Sequence, residues 1–185
     1  MIELIRTEHM DLVSLPAEFY EAMLAGERRQ AERVLGVRVA AGWEEGRERF
    51  MRGRLHQIWR DRRSQEWIGR AMVLREPAPV MVGDAGFHGP PDGTGMVEVG
   101  YGMLPGYRGR GLGTEVARSL LEWAHTEKGI RNFRACVSPG NLPSLRIVAK
   151  LGFVKTGVHW DPEDGEEIVH QLDAENGLPW IPKRN

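Results

Sequence analysis

The residues from Met96 to Glu122, MVEVGYGMLPGYRGRGLGTEVARSLLE, carry the densest chemical potential in the chain. At their centre stand Arg108, Gly109, Arg110, Gly111, Leu112 and Gly113. Glycines let main-chain amides approach a ligand closely and adopt dihedrals closed to other residues. The first turn of a helix holds N–H groups with no intrahelical acceptor, and the helix dipole favours negative charge there. A phosphate is the simplest occupant of such a joint. Arg108 and Arg110 add positive charge beside it. The spacing lacks the Lys-Ser or Lys-Thr of a P-loop, and G-x-G-x-G is not the dinucleotide fingerprint G-x-G-x-x-G. A tight structural joint with solvated arginines is the plainer alternative, although three alternating glycines would weaken one.

The flanking residues say what positions this turn. Val97, Val99 and Tyr101 alternate with Glu98 and Gly100, which is strand periodicity, and Pro105-Gly106 ends the strand. From Thr114 onward Val116, Ala117, Leu120, Leu121 and Ala124 share one helical face. Arg131 to Val137 reads as the next strand. Pro143 to Leu151 reads as a short helix stopped by Gly152. Strand, helix and strand make a parallel crossover, whose ligand sits beyond the C-terminal strand ends. Glu98 lies on the face opposite Val97 and Val99, where Gly100 and Gly102 leave room for a substrate.

Elsewhere, Ile2 to Arg6 reads as a short first strand. Leu15 to Gly36 reads as helix in two pieces, parted near Gly26. Val37 to Gly46 reads as a loop, and Arg47 to Arg63 as an arginine-rich helix with a solvated face, an acidic partner for those arginines being the alternative. Trp67 to Arg75 and Pro79 to Phe87 read as strands parted by Glu76-Pro77, with His88 to Gly95 a loop. Phe153 to Val158 and Glu167 to Leu172 form a final pair across an acidic loop, Asp161 to Glu166. The tail from Asn176 is expected to lie on the surface or fray. The class is α/β (α+β): a mixed sheet of about six to seven strands flanked by helices.

The totals exclude several classes. A chain of 185 residues, 41% hydrophobic and 28% charged, fits one globular domain, residues 1–185. A net charge of -1 gives no general attraction to nucleic acid or an anionic membrane. No apolar run is long enough to span a bilayer, and Met1-Ile2-Glu3 does not open a signal peptide. The lone Cys136 points to the reducing cytoplasm. The six histidines lack ligand spacing, so no metal is expected.

A second motif lies downstream: Asn141, then Ser144, a short helix, and Leu151-Gly152-Phe153. Together with the arginine–glycine turn it resembles the GNAT superfamily of N-acetyltransferases, which bind acetyl-coenzyme A (acetyl-CoA). Val82 to Phe87, followed by Glu98-Val99-Gly100-Tyr101, is similar to the branch containing ribosomal-protein alanine acetyltransferases. The resemblance covers residues 65–172, the acetyl-CoA-binding core. Residues 1–64 fit as the variable region that shapes the acceptor pocket.

The resemblance implies roles. Amides of Gly109, Arg110, Gly111, Leu112 and Gly113, with Thr114 at the helix start, would hold the pyrophosphate, and Arg108 and Arg110 would screen it. Peptide groups of Met103 and Leu104 would pair with the pantetheine arm. Asn141 would hydrogen-bond that arm or a water beside it, and Ser144 would contact the coenzyme near its sulfur. Acetyl would move to a primary amine by direct attack in a ternary complex, with Glu98 as base; a strand glutamate paired with an arginine is the plain alternative. The tyrosine that many members carry as the acid is Val148 here. Ser144 ranks low as its substitute, and that gap keeps a non-catalytic acyl-CoA sensor in view. Members are often homodimers, and an amino acid, a protein N-terminus, a polyamine or an aminoglycoside would each serve as acceptor. His88 is a candidate acceptor contact, His125 a helix C-terminal contact, Trp43, Trp59 and Trp67 core aromatics, and Cys136 a small buried hydrophobe.

Overall fold

The computed structural model describes residues 2–162 and 165–181. In chain order it contains β1 (Ile5–Arg6), β2 (Met10–Ser14), α1 (Ala17–Leu24), α2 (Arg28–Leu35), β3 (Arg38–Val39) and α3 (Glu48–Arg60). There follow β4 (Arg70–Leu74), β5 (Val80–Phe87), β6 (Met96–Met103), α4 (Leu112–Lys128), β7 (Asn132–Val137), α5 (Leu142–Lys150), β8 (Val154–Asp161) and β9 (Gly165–Asp173). The sheet runs β1-β2-β4-β5-β6-β7-β9-β8, with β3 alongside β5. Every pairing is antiparallel except β6 with β7 and β3 with β5.

The strand count is nine among the described residues, not six to seven. Two of the extra strands escape sequence reading for a physical reason. β2 has only five residues, MDLVS, and β3 only two, so neither shows a sustained alternation. Helix α4 starts at Leu112 rather than Thr114, because Gly111 itself supplies the cap position. Glu163 and Asp164 of the expected acidic loop lie outside the described residues, as do Pro182 and the residues after it. The rest of the tail packs down. Leu178 is buried, and Trp180 Nε1 donates to Glu122 Oε1 at 2.6 Å.

One contiguous core joins both faces of the sheet. The face of α4 read from sequence is buried whole, at Val116, Ala117, Leu120, Leu121 and Ala124. Each such side chain contributes about 1.5–3 kcal/mol when fully withdrawn from water. Trp67 stacks edge-on against Phe87 and Trp123 at 5.7 and 5.4 Å. Trp43 is buried as expected, but Trp59 is 65% exposed and belongs to no core. Arg70 is fully buried, its guanidinium over the Trp123 ring and hydrogen-bonded to main-chain carbonyls of Glu3 and Glu66. His125 Nδ1 lies 2.9 Å from the Ile130 carbonyl, just past the end of α4, where the sequence suggested a C-terminal contact.

Candidate active site

The site begins where two strands part. β6 and β7 pair only from Met96–Glu98 to Asn132–Arg134, yet β6 continues to Met103 and β7 to Val137. The His88 N–H donates to the Glu98 carbonyl at 2.8 Å, and the Leu104 N–H to the Val82 carbonyl at 3.0 Å. By the alternation of an antiparallel ladder, Glu98, Gly100, Gly102 and Leu104 turn their peptide groups toward β5. Val99, Tyr101 and Met103 therefore turn theirs into the fork. Met103 suits the pairing expected of it, and Leu104 does not. The Leu104 carbonyl is also occupied, accepting from the Tyr107 N–H at 3.0 Å. Arg108 folds back, and its Nε donates to the Met103 carbonyl at 2.7 Å, so that carbonyl is as occupied as that of Leu104 and the difference between the two residues is the edge each faces. Arg108 and Arg110 are both exposed.

Just beyond the fork lies the glycine turn. Gly109 and Gly111 have φ of +77° and +80°, the left-handed region that L side chains avoid. The Gly111 carbonyl accepts from the N–H groups of Thr114 and Glu115 at 3.0 and 3.1 Å, which starts α4. The N–H groups of Gly109, Arg110, Gly111, Leu112 and Gly113 meet no acceptor among the described residues. Consecutive free donors at a helix start form an anion cradle. The Leu112 side chain is buried in the core, so only its N–H serves that cradle. The Thr114 N–H is used inside the helix, leaving its hydroxyl. A Cβ at Gly113 would stand 3.1 Å from Ile147 Cδ1, so the third glycine lets α4 pack closely on α5.

A cleft of about 460 Å³ runs from α3 to α5 over a floor of β5 and β6. On the α5 side, Asn141 Oδ1 accepts from the Ser144 N–H at 3.3 Å and so caps the helix. Ser144 is half-buried and lines the cleft with Tyr101. The Tyr101 hydroxyl is buried and has no hydrogen-bond partner among the described residues. Burial pushes its pKa up to about 12, with the neighbouring Ser144 hydroxyl opposing. Val148 is packed into the core, so α5 supplies no phenol. Sequence periodicity aligned Tyr101 with the core residues Val97 and Val99. The parting of β6 from β7 is what opens it to the cleft.

On the α3 side stand Arg47, Phe50 and Arg54. Arg47 forms an ion pair with Asp84, which also accepts from Trp43 Nε1 at 3.1 Å. Burial raises the Asp84 pKa above the usual carboxylate range, against the pull of Arg47 and Trp43. The guanidinium carbons of Arg47 and Arg54 lie 5.4 and 5.1 Å from the centre of the Phe50 ring. Of these side chains, the arginines carried a sequence signal only as part of a charged stretch that could meet an acidic partner.

A second hollow, about 450 Å³, shares His88, Cys136 and Glu167 with the cleft. Glu98 lines this second hollow, one step removed from Ser144. Its Oε1 is 3.3 Å from His88 Nδ1, and its Oε2 is 3.8 Å from Arg134 Nη1. The arginine pairing foreseen as the plain alternative therefore exists, but it is the longer of the two contacts. The His88 ring lies over Gly100, where a Cβ would come within 2.9 Å of Nε2. Burial lowers the His88 pKa, with Glu98 opposing and Arg54 assisting. Imidazole is thus mostly neutral at pH 7, with one nitrogen facing Glu98.

Cys136 is a correction. It lines both hollows instead of filling the core, while its strand neighbours Ala135 and Val137 are buried. Burial and then the adjacent Glu98 carboxylate push its thiol up to about 12, so it stays protonated and is no nucleophile. Among the described residues, Glu8, His9 and Glu115 hold three potential metal-ligand atoms within 4.8 Å of one another. The Glu115 carboxylate there already accepts from Thr7 Oγ1 and from the His9 N–H, and it reads as a structural tie. No helix among the described residues is long and apolar enough to cross a membrane.

Comparison with known proteins bears on this geometry. A family model described as an acetyltransferase (GNAT) domain matches residues 16–154. The uncharacterized N-acetyltransferase YjdG of Bacillus subtilis is 35% identical over 88 residues, 48% of this chain and 50% of that protein. The N-acetyltransferase p20 of Bacillus licheniformis is 27% identical over 94 residues, so the chain spans about half the length of the curated relatives it matches. Among solved structures, Mycobacterium smegmatis RimJ in complex with CoA-disulfide superposes with a TM-score of 0.66 at 17% identity, covering 96% of this chain and 90% of that one. The microcin C7 self-immunity acetyltransferase MccE, in complex with acetyl-CoA and AMP, gives 0.61 at 11% identity, covering 90% and 93%. These two likenesses concern the fold.

Proposed function

This chain belongs to the GNAT acetyltransferase family, and from that premise we propose that it moves an acetyl group from acetyl-CoA to a primary amine in the cytoplasm. The observation that carries the reading is the run of five unpartnered N–H groups from Gly109 to Gly113, set beside the open edge of β6. The cradle suits a pyrophosphate, and the fork edge at Val99, Tyr101 and Met103 suits the amide-bearing pantetheine arm. Residues 1–64, with α3 facing the cleft, form the acceptor side.

The bound thioester supplies an activated acetyl group. The chain's residues handle the protons. An amine must be neutral to attack, yet a lysine amine has a reference pKa of about 10.4 and an N-terminal one about 7.7–8.0. His88, facing both hollows, takes the amine proton, and Glu98 at Nδ1 orients the ring and stabilises its charge. Glu98 thus serves as base through His88. As the new C–N bond forms, the C–S bond breaks, and the leaving thiolate takes a proton from Tyr101, whose hydroxyl stays protonated at physiological pH. Ser144 lines the cleft beside that hydroxyl. Asn141 holds the start of α5 against the donor. A hydroxyl able to replace the missing α5 tyrosine favours turnover over a non-catalytic sensor.

The test is coenzyme A release with a panel of amines. Glu98→Gln is expected to lower kcat about 100- to 1,000-fold, within the range of general acid–base catalysis. Acetyl-CoA affinity by calorimetry should hold. Equal background release from both proteins would sink the catalytic reading.

A further inference from the structure

Resting on the acetyl-transfer reading, we propose that the acceptor carries a carboxylate as well as its amine, and that Arg54 receives that carboxylate. Arg47 at the N-terminal cap of α3 and Arg54 within α3 meet the same Phe50 ring, and both line the cleft. Their surroundings differ. Arg47 is neutralised by Asp84. Arg54 has no ion pair among the described residues. It hydrogen-bonds through Nη1 alone, to Gln57 Oε1 at 3.1 Å and to the His88 carbonyl at 3.4 Å. Its Nε and Nη2 make no hydrogen bond among the described residues. That edge of a guanidinium is one that meets a carboxylate in two parallel bonds. A half-buried cation on an aromatic ring, with such an edge free, feels Asp84 through space but has no anion in contact among the described residues, where desolvated charges call for one.

The rest of the site completes the polarity. At the fork acidic side chains outnumber basic ones, with Glu98, Asp161 and Glu167 lining the second hollow beside Arg134. A zwitterion laid across the site would put its amine toward the fork and its carboxylate toward α3. The His88 residue joins both ends: its ring faces Glu98, and its carbonyl accepts from Arg54 and from Gln57 Nε2 at 2.8 Å. The two charged groups of the acceptor are therefore separated by a short molecule.

Coenzyme A release is measured for α-amino acids with acidic, aliphatic, aromatic and hydroxyl side chains, for β-alanine and for γ-aminobutyrate. Each is run beside its carboxamide, with O-phosphoethanolamine as the phosphate arm. Calorimetry follows binding of the N-acetylated acids and amides to the coenzyme A-loaded protein. At least one acid should exceed its amide in kcat/KM by about 10- to 100-fold, the effect of a charge-assisted pair. Arg54→Met should bring that ratio near one, and Arg54→Lys should leave an intermediate ratio. If Arg54→Met does not fold, the wild-type ratio and Arg54→Lys decide. Acids and amides turning over alike, a ratio that survives Arg54→Met, or a preference for the phosphate would overturn the proposal while acetyl transfer stands. Arg54-dependent binding of N-acetylated acids without turnover of any amine would keep the carboxylate site and overturn acetyl transfer. Neither binding nor turnover would remove both.

Discussion

Two walls of the site are built in opposite ways. The amide wall is the glycine turn at the start of α4, outside the lining of the cleft itself, where Gly109 to Gly113 present main-chain N–H groups on one continuous turn. The α3 wall presents side chains, with Asp84 from β5 meeting Arg47 at the N-terminal cap of α3 and Trp43 from the preceding loop. Amides serve whatever residue bears them, provided the backbone can take the path. Side chains serve only if distant elements bring them together. The first wall is therefore robust to side-chain change and sensitive to dihedrals. The second tolerates backbone adjustment and fails when one partner is lost.

Removing a partner from the α3 wall is the harshest way to probe that contrast. Asp84→Asn keeps an acceptor for Trp43 but leaves Arg47 without its counter-charge. Breaking a buried pair by removing one member costs about 3–5 kcal/mol. Arg47 keeps 28% of its side-chain surface in water, so the lower end, about 3 kcal/mol, is expected in urea unfolding. Acetyl-CoA affinity per folded molecule should stay near wild type, because the amide wall is untouched. A loss below about 1 kcal/mol would show that the pair is dispensable and that the contrast is overstated.

On the amide wall, the informative change is Gly111→Ala. No atom crowds a Cβ there, so space is not the obstacle. The obstacle is φ of +80°, and an L residue pays about 1–2 kcal/mol in that region. Relief of the strain would turn the free N–H groups away from one another. Acetyl-CoA binding should weaken about tenfold by calorimetry, in line with that cost. Gly106→Ala, where φ is not positive and no atom lies within 4 Å, is the control and should bind normally. Equal affinities for both variants would mean that the dihedral at Gly111 does not hold the cradle.

The same difference governs what was legible in the sequence. Glycine spacing, strand alternation and the apolar face of α4 are local, and the turn, β6 and α4 follow from them within two residues. The pairing of Met103 and Leu104 was half legible, since the pleat assigns only one of two neighbours to each edge. Tyr101, Arg54 and Asp84 were not legible as a site. Their direction depends on where β6 leaves β7 and on how α3 lies over β5, and neither is written in a short window. Glu98 was legible by its face, but not its contact with His88, which comes from a neighbouring strand. Cys136 was misread because its two neighbours are core residues, and period two sends it the other way.

The joint between α4 and the N-terminal strands permits the finest test. Glu115, in the first turn of α4, accepts from Thr7 Oγ1, and from the His9 N–H at 2.8 Å, in the turn between β1 and β2. Burial alone would raise its pKa. The hydrogen bonds from Thr7 and His9 outweigh burial and hold the carboxyl below its usual value. A depressed native pKa means that the unfolded chain binds the proton more readily. The resulting stability is present above the unfolded pKa, about 4.3, and is lost as pH falls through the lower native value. Glu115→Gln keeps an oxygen for one donor and loses the charge, so about 1 kcal/mol should vanish at pH 7. The gap between wild type and variant in urea unfolding should then close as pH falls below about 4.3. A gap that stays constant down to pH 3 would show that the oxygen's shape, and not its charge, ties the β1–β2 turn to the helix that begins at the cradle.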